Sequence, residues 1–274
     1  MIKTVIIGKN SNLSQFLMKK LDNTESISSR ELATSTKSLI NFRNEEISII
    51  FNNFQSAVML NDISNPEEYI INSIGITSKV LNICKEYNLK INKIIYTSSS
   101  SVYGNNILCN ENDELKPMNL HASLKVANEK LIEKFCIDND IDYTIARVFN
   151  MYGGDDNFSI VSKIIKAYKN QEELTIVNNG NAIRDFIHID DVVDIYSKLL
   201  NINDLQVVNI GTGEGSSVKN IIDLFHTHGK KLKTKNIYRD ELKLSTADNR
   251  LLIEKLKKDK FISIENYLKK ELNI

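Results

Sequence analysis

Short apolar runs alternate with segments of helical periodicity along the first half of the chain. Runs rich in β-branched residues, which predict buried strands, occur at 3–8, 48–51, 93–97 and 143–148. Apolar residues recur with helical spacing at 13–21, 67–87 and 123–136. Pro66 can begin the second of these helices, because proline fits the first helical turn. Strands separated by helices are typical of an α/β protein with a parallel, doubly wound sheet.

The predicted elements become shorter after about residue 153. Strands are expected at 174–177 and 206–210, and helices at 190–200, 218–225, 250–257 and 263–272. No proline- or glycine-rich linker marks a boundary between the two parts. We therefore expect one doubly wound domain at 1–153, completed by part of 180–215, and a smaller interleaved C-terminal domain at 154–274.

Composition narrows the range of partners. The chain of 274 residues has 35 basic and 35 acidic residues, and a net charge of zero disfavours broad attraction to nucleic acid or to an anionic membrane. Its apolar start is too short for a signal peptide, and no apolar run is long enough to cross a membrane. The three cysteines lack close spacing and predict neither a disulfide framework nor a metal site. We expect a cytoplasmic protein.

The turn after the first strand is a candidate phosphate site. A strand that ends at Gly8 and continues into a helix presents free N–H groups and a positive dipole end to an anion such as a dinucleotide pyrophosphate. Ser11 and Ser14 stand where a full glycine fingerprint would have glycine, and their hydroxyls can bind phosphate or cap the helix. An ordinary capped turn is an equally good interpretation. The candidate cofactor residues of this turn are Gly8, Asn10, Ser11, Asn12 and Leu13.

Two further strand ends bear on the cofactor. The second strand is expected to end near Ser29 and Arg30, with no carboxylate at its tip to bind a ribose 2′-hydroxyl. Arg30 could accommodate a 2′-phosphate, which favours NADP over NAD, although exposed arginines are common at strand ends. Asn52 and Asn53 follow the strand predicted at 48–51. They are expected to line the cofactor groove, unless they are only polar loop residues.

Hydroxyl side chains follow the strand predicted at 93–97. Two further polar side chains lie at the start of the helix predicted after it. Ser99, Ser100 and Ser101 lie at the carboxyl end of a strand, where ligands bind in open α/β sheets. His121 and Lys125 are one helical turn apart on the same face. A hydroxyl donor, a titratable ring and a lysine can together transfer a proton. Taken singly, a serine-rich turn or a lone histidine is more often structural.

These motifs, taken together, resemble the extended short-chain dehydrogenase/reductase family of nucleotide-sugar epimerases, dehydratases and reductases. The resemblance covers nearly the whole chain and is carried by the Gly8 turn, Asn72, the Ser-Ser-Val-Tyr-Gly turn ending at Gly104, and the segments 147–153, 180–191, 209–213 and 247–248. It implies a Rossmann-type fold, NAD or NADP as the cofactor and a nucleotide-sugar substrate. It also implies a homodimer formed through the helices at 67–87 and 123–136.

The resemblance also implies roles for individual residues. Ser99 matches the catalytic Ser/Thr that binds the reacting sugar oxygen, and Lys125 matches the lysine that holds the nicotinamide ribose. Arg184 matches an arginine that grips the diphosphate, which suits the forked guanidinium. Asn72 is expected to contact the cofactor. The residues expected to contact the substrate are Ser100, Ser101, Asn150, Arg184 and, as a second phosphate clamp, Arg239.

Two positions depart from the family pattern. The catalytic tyrosine of the family falls at His121, whose unperturbed pKa of about 6.5 is far below the value of about 10 for tyrosine. Histidine can still act as a general acid or base near neutral pH. The dehydratases of the family would carry Asp-Glu at Ser100 and Ser101. Without these carboxylates, elimination of a hydroxyl lacks its acid and base, so dehydration is disfavoured.

The sequence therefore predicts an NAD(P)-dependent oxidoreductase or epimerase that moves hydride at a ring carbon of a nucleotide-activated sugar. On this interpretation 1–153 binds the dinucleotide and 154–274 binds the substrate. Two alternatives remain open. One is a catalytically silent protein that binds the dinucleotide or the nucleotide-sugar, since fold alone does not give function. The other is an atypical dehydratase with its acid and base elsewhere.

Overall fold

The chain folds into two compact units. The computed structural model describes residues 2–52 and 65–272. The first unit comprises Met1–Val102, Pro117–Arg147 and Val193–Val208, and the second comprises Tyr103–Lys116, Val148–Val192 and Asn209–Ile274. Each unit is therefore assembled from three separate stretches of chain. The division at residue 153 into a cofactor part and a substrate part stays a prediction.

The secondary structure alternates between strands and helices over the described residues. The strands are β1 (Lys3–Ile7), β2 (Thr24–Ile27), β3 (Glu46–Phe51), β4 (Lys90–Ser99), β5 (Asn106–Cys109), β6 (Asp142–Val148), β7 (Asn150–Tyr152), β8 (Leu174–Val177), β9 (Ile183–His188), β10 (Val207–Ile210), β11 (Gly215–Ser217), β12 (Thr234–Ile237) and β13 (Leu244–Ala247). The helices are α1 (Asn12–Lys20), α2 (Ser29–Thr34), α3 (Lys37–Ile40), α4 (Pro66–Ile70), α5 (Ile76–Glu86), α6 (Leu120–Asp138), α7 (Ile160–Asn170), α8 (Ile189–Leu199), α9 (Val218–Thr227), α10 (Arg250–Leu256) and α11 (Ile264–Leu272). A π turn (Ile71–Gly75) separates α4 from α5, and short 3₁₀ turns span Ser100–Tyr103 and Asn178–Gly180.

A six-stranded sheet with the order β10-β6-β4-β3-β1-β2 organises the first unit. β1 pairs in parallel with β2 and with β3, and β3 pairs in parallel with β4. The inner strands β1 and β3 are almost entirely buried, as the 0% exposure of Val5 and Ile49 indicates, because helices cover a doubly wound sheet on both faces. The predicted α/β fold with a Rossmann-type sheet is confirmed.

The second unit is built around β9. β11 pairs antiparallel to β9, β7 and β13 pair parallel to it, and β13 also pairs with β5. β8 and β12 form a separate two-stranded sheet. Apolar residues from α7, α9 and α11 pack together in a core of their own, which includes Ile164, Phe225 and Leu268. Burial of these helix faces stabilises the second unit.

The elements predicted from periodicity are present within a few residues, but several features differ. The helix expected at 67–87 is interrupted by the π turn at Ile71–Gly75. α7 was not predicted, although Ser159 caps it by accepting a hydrogen bond of 3.1 Å from the Ser162 amide. The short strands β5, β7, β9, β11, β12 and β13 were also not predicted, because runs of three to six residues carry little periodicity of their own.

Several sequence features can be located directly. No helix in the described ranges has both the length and the hydropathy needed to cross a bilayer. Cys84, Cys109 and Cys136 are buried free thiols. Burial raises the pKa of the Cys84 thiol to about 12. Residues 2–52 and 65–272 contain no group of three or more His, Cys, Asp or Glu residues arranged to hold a metal ion.

Candidate active site

The turn between β1 and α1 is held by hydroxyl groups in place of glycines. Gly8 has φ of +112°, a conformation that glycine adopts without strain. Ser11 caps α1 by accepting a hydrogen bond of 3.1 Å from the Ser14 amide, and the Ser14 hydroxyl donates to the Gly8 carbonyl at 2.8 Å. Asn52, at the end of β3, donates to both serine hydroxyls at 2.8 Å. The serines therefore tie the turn to the neighbouring strand.

This turn fits the pyrophosphate of a dinucleotide. The first turn of α1 carries no acidic residue, so the positive end of the helix is available to an anion. The Oδ1 atom of Asn52 is buried and has no hydrogen-bond partner among the described residues, which leaves an acceptor for a ligand donor. Leu13 is buried beneath the turn, Asn12 is half-buried and Asn10 is exposed. Asn53 lies outside the described residues.

The cofactor residues expected at the second strand follow its end closely. β2 ends at Ile27, and Ser29 and Arg30 lie in the first turn of α2. The Arg30 side chain is exposed. Exposure alone gives no evidence that Arg30 binds a 2′-phosphate, so the preference for NADP is not supported. Asn72 is half-buried within the π turn, and π turns occur frequently at functional sites.

Helix α6 carries Lys125 into the interior of the first unit. Asn119 caps the helix by accepting a hydrogen bond of 2.9 Å from the Ala122 amide. The Lys125 side chain is 5% exposed, its Nζ donates to the Thr97 carbonyl at 2.8 Å, and it lies 5.1 Å from the centre of the Tyr96 ring. Burial lowers the pKa of Lys125 to about 8, and the charge of Glu129 partly opposes this shift.

His121 lies one turn before Lys125 in the same helix, as the sequence predicts. Its ring is half-buried and makes no hydrogen bond within the described residues. Burial lowers the pKa of His121 to about 4, and the positive charge of Lys125 lowers it further. The pKa of His121 therefore lies below the unperturbed value of about 6.5, and His121 is a neutral imidazole at pH 7.

The serine hydroxyls at the end of β4 and in the turn after it differ in whether a protein group already binds them. Ser98 donates to the buried Glu129 carboxylate, so its role is structural. Ser99 is half-buried, and its Oγ accepts a hydrogen bond of 3.2 Å from the Ser101 amide, which leaves the hydroxyl proton for another acceptor. Ser100 is buried, and the Ser101 Oγ is buried without a partner in the described part of the chain.

A buried ion pair holds these elements together. Glu129, one turn after Lys125, accepts hydrogen bonds of 3.2 Å and 2.8 Å from the Arg147 guanidinium at the end of β6. Both side chains are at most 6% exposed. The sequence analysis did not assign these residues, although Glu129 follows His121 and Lys125 at helical spacing on one face. That periodicity is the signal that could have identified it.

In the second unit, the side chains of Asn150 and Arg184 form hydrogen bonds with backbone carbonyls. Asn150 donates to the Asp185 carbonyl at 3.0 Å. The Arg184 guanidinium donates to its neighbouring Ile183 carbonyl at 2.9 Å and to the Leu242 carbonyl, and it lies 3.5 Å from the Glu241 carboxylate. These two hydrogen bonds use two of the five N–H donors of the guanidinium.

Arg239 is exposed, and only its backbone takes part in described hydrogen bonds, which join it to Asn178. Tyr103, at the start of the second unit, is 1% exposed and donates to the Asn209 side chain at 2.7 Å. The structure thus brings Ser99, His121 and Lys125 into one unit. The residues expected to bind the substrate phosphates lie in the other.

The fold and these residues define a Rossmann-type α/β protein of the extended short-chain dehydrogenase/reductase class. A family model described as "NAD dependent epimerase/dehydratase family" matches residues 11–211. The chain belongs to this family.

Individual relatives agree with the family assignment. Protein CapI of Staphylococcus aureus is 30% identical over 164 residues, which cover 58% of this chain and 48% of CapI. A putative UDP-glucose 4-epimerase of Methanocaldococcus jannaschii is 30% identical over 194 residues, which cover 68% of this chain and 61% of that protein. The chain therefore matches about half to three-fifths of the length of these relatives.

Among solved structures, UDP-glucuronic acid 4-epimerase from Bacillus cereus in complex with UDP-glucuronic acid and NAD has the same fold. The TM-score is 0.88 at 21% sequence identity, and the similarity covers 99% of this chain and 98% of that chain. That protein was solved with NAD.

The low pKa of His121 predicts a pH dependence of stability. The unfolded chain takes up a proton on this residue near pH 6.5, whereas the folded chain does so only near pH 4. Stability is therefore complete above pH 6.5, falls as the pH drops towards 4, and then levels off. Between pH 7 and pH 4 the wild type should lose roughly 3 kcal/mol more unfolding free energy than His121→Gln, measured by urea denaturation.

His226, whose side chain is exposed, supplies the control. His226→Gln should follow the wild-type curve. If His121→Gln follows it as well, the imidazole is not desolvated and the assigned pKa shift is wrong.

Proposed function

We propose that this protein is an NAD-dependent enzyme that transfers hydride at a ring carbon of a nucleotide-activated sugar, so that it epimerises the sugar or reduces a keto-sugar. The observation that carries the proposal is the buried Lys125 one helical turn after a neutral His121, with Ser99 at the end of the adjacent strand. Family membership supports the same reaction class.

The dinucleotide would be held by the turn between β1 and α1. Gly8 lets the backbone approach the pyrophosphate, and the Asn52 Oδ1 offers an acceptor. Ser11 holds the turn in shape through its hydrogen bonds to Ser14 and Asn52. NAD, when bound, supplies the hydride acceptor that none of the amino-acid side chains can provide. We assign NAD and not NADP by analogy with the Bacillus cereus epimerase, which was solved with NAD.

The protein side chains would handle the proton. The neutral His121 imidazole accepts the proton of the sugar hydroxyl being oxidised, and the resulting imidazolium returns it in the reverse direction. Ser99 donates its hydroxyl proton to the same sugar oxygen. Burial and, to a smaller extent, the Lys125 ammonium keep His121 neutral before the reaction. A positive charge nearby also stabilises a developing oxyanion. Tyr103 is a poorer proton carrier, since it is buried and bonded to Asn209.

Substrate binding is assigned to Ser100 and Ser101 in the first unit and to Asn150, Arg184 and Arg239 in the second. The unpartnered Ser101 Oγ supports a polar ligand contact there. The nucleotide-sugar is expected to carry uridine diphosphate, by analogy with the Bacillus cereus epimerase. A homodimer formed through the helices at 66–86 and 120–138 is also part of the proposal.

The second candidate is a protein that binds the dinucleotide and the nucleotide-sugar without turnover. The observation in its favour is His121 at the position of the family tyrosine. Dehydration is a weaker candidate, because serines occupy positions 100 and 101.

The proposed reaction can be tested with NAD and a panel of UDP-hexoses and UDP-hexuronates. We expect NAD binding in titration calorimetry and conversion of one sugar to its ring epimer, or of a keto-sugar to the alcohol with NADH, followed by proton NMR. Binding of both ligands without any conversion would establish the silent alternative. No binding of NAD at millimolar concentration would disprove the dinucleotide assignment.

The role of His121 predicts the pH profile of kcat/KM. Activity should rise as His121 loses its proton near pH 4 and should fall as Lys125 loses its proton near pH 8. His121→Ala should lose about two to four orders of magnitude in rate while still binding NAD. His121→Tyr should move the rising limb to higher pH, because phenol is the weaker acid. A His121→Ala variant with the wild-type rate and profile would show that another group carries the proton.

Arg184 is predicted to bind the substrate diphosphate. A bidentate, charge-assisted contact contributes on the order of 1.5–3 kcal/mol, so Arg184→Ala should weaken nucleotide-sugar binding roughly tenfold or more. Arg43→Ala, at an exposed residue of the first unit, is the control. If Arg184→Ala instead lowers the melting temperature and keeps full ligand affinity, Arg184 has only a structural role, through its contacts with Leu242 and Glu241.

A further inference from the structure

The buried face of α6 carries a stripe of polar side chains at helical spacing: His121, Lys125, Asn128 and Glu129. Lys125 and Glu129 have the contacts described above. Asn128 has no role in the proposed chemistry, yet it is 0% exposed. A fully buried amide on a helix face that could be aliphatic requires a physical reason.

The Asn128 amide joins α6 to the π turn. Its Nδ2 donates to the Ser73 hydroxyl at 3.1 Å and to the Leu124 carbonyl at 2.7 Å. Ser73 is the third residue of the turn, immediately after Asn72. No residue of the turn itself is buried, so apolar packing contributes little to holding this wider helical turn in place.

The same amide leaves its Oδ1 atom buried and without a partner among the described residues. An unpaired buried acceptor destabilises the fold, and an aliphatic side chain of similar size would avoid that penalty. Stability alone therefore does not account for Asn128. Residues that break a local packing rule in this way are expected at functional positions.

We infer that Asn128 is a positioning residue that fixes the π turn, and with it Asn72, at a set distance from the helix that carries His121 and Lys125. Its effect is on the affinity for the dinucleotide. The inference rests on the proposed function, since Asn72 is assigned to the cofactor.

The test compares NAD binding by Asn128→Leu and Ser73→Ala with binding by the wild type, measured by titration calorimetry. Each variant should raise the Kd for NAD roughly fivefold, the equivalent of one hydrogen bond. The double variant should be no weaker than either single variant, because both remove the same bond. KM for NAD should rise in parallel, with a far smaller change in kcat at saturating NAD and with both limbs of the pH profile unmoved. Ser78→Ala, at an exposed position of α5, is the matched control.

Amide hydrogen exchange at 71–75 gives a readout that needs no ligand. Both variants should exchange faster there than the wild type and Ser78→Ala, while the rest of α6 is unchanged. If exchange at 71–75 is unchanged in both variants, Asn128 does not position the π turn. If exchange is faster but the affinity for NAD is unchanged, the π turn is not linked to cofactor binding. A wild type that binds no NAD disproves the proposed function itself, and the claim about affinity falls with it.

Discussion

The geometry of the candidate active site in the first unit depends on the hydrogen bonds of the buried Glu129 carboxylate. This carboxylate accepts hydrogen bonds from Arg147 at the end of β6 and from Ser98 at the end of β4. A carboxylate this deeply buried requires such partners, because an unpaired buried charge costs several kcal/mol. Ser99 follows one of the partners directly, and Lys125 precedes Glu129 by one helical turn. The ion pair therefore sets the separation between the two candidate catalytic groups.

The same carboxylate begins a chain of electrostatic effects. Glu129 opposes the loss of charge that burial imposes on Lys125. Burial lowers the pKa of His121, and the charge retained on Lys125 adds to this shift. A tyrosine at the position of His121 would have a much higher pKa than the imidazole. The replacement by histidine is thus compatible with general base chemistry at neutral pH, since this environment already favours the basic form of an imidazole.

A second buried carboxylate organises the other unit. Asp185 is 0% exposed and accepts hydrogen bonds from Thr212, Gly213 and Ala247. Burial raises the pKa of Asp185, and these hydrogen bonds oppose that rise. A Cβ atom at Gly211 would lie 2.7 Å from the Asp185 Oδ2, so the loop closes tightly on the carboxylate. Arg184 stands next to it on β9, and its position follows from this arrangement.

The sequence by itself determined the α/β class, the long helices and strands, and the family, because periodicity and short motifs are local properties of the chain. It also identified Ser99, His121 and Lys125, which lie within such motifs. It did not reveal the π turn, the Asn128–Ser73 bond, the Glu129–Arg147 pair or the lowered pKa of His121. Asn128 and Ser73 are 55 positions apart, and a pKa depends on burial and on neighbouring charges. Only the folded chain brings such distant groups together, so the tertiary structure alone decided these features.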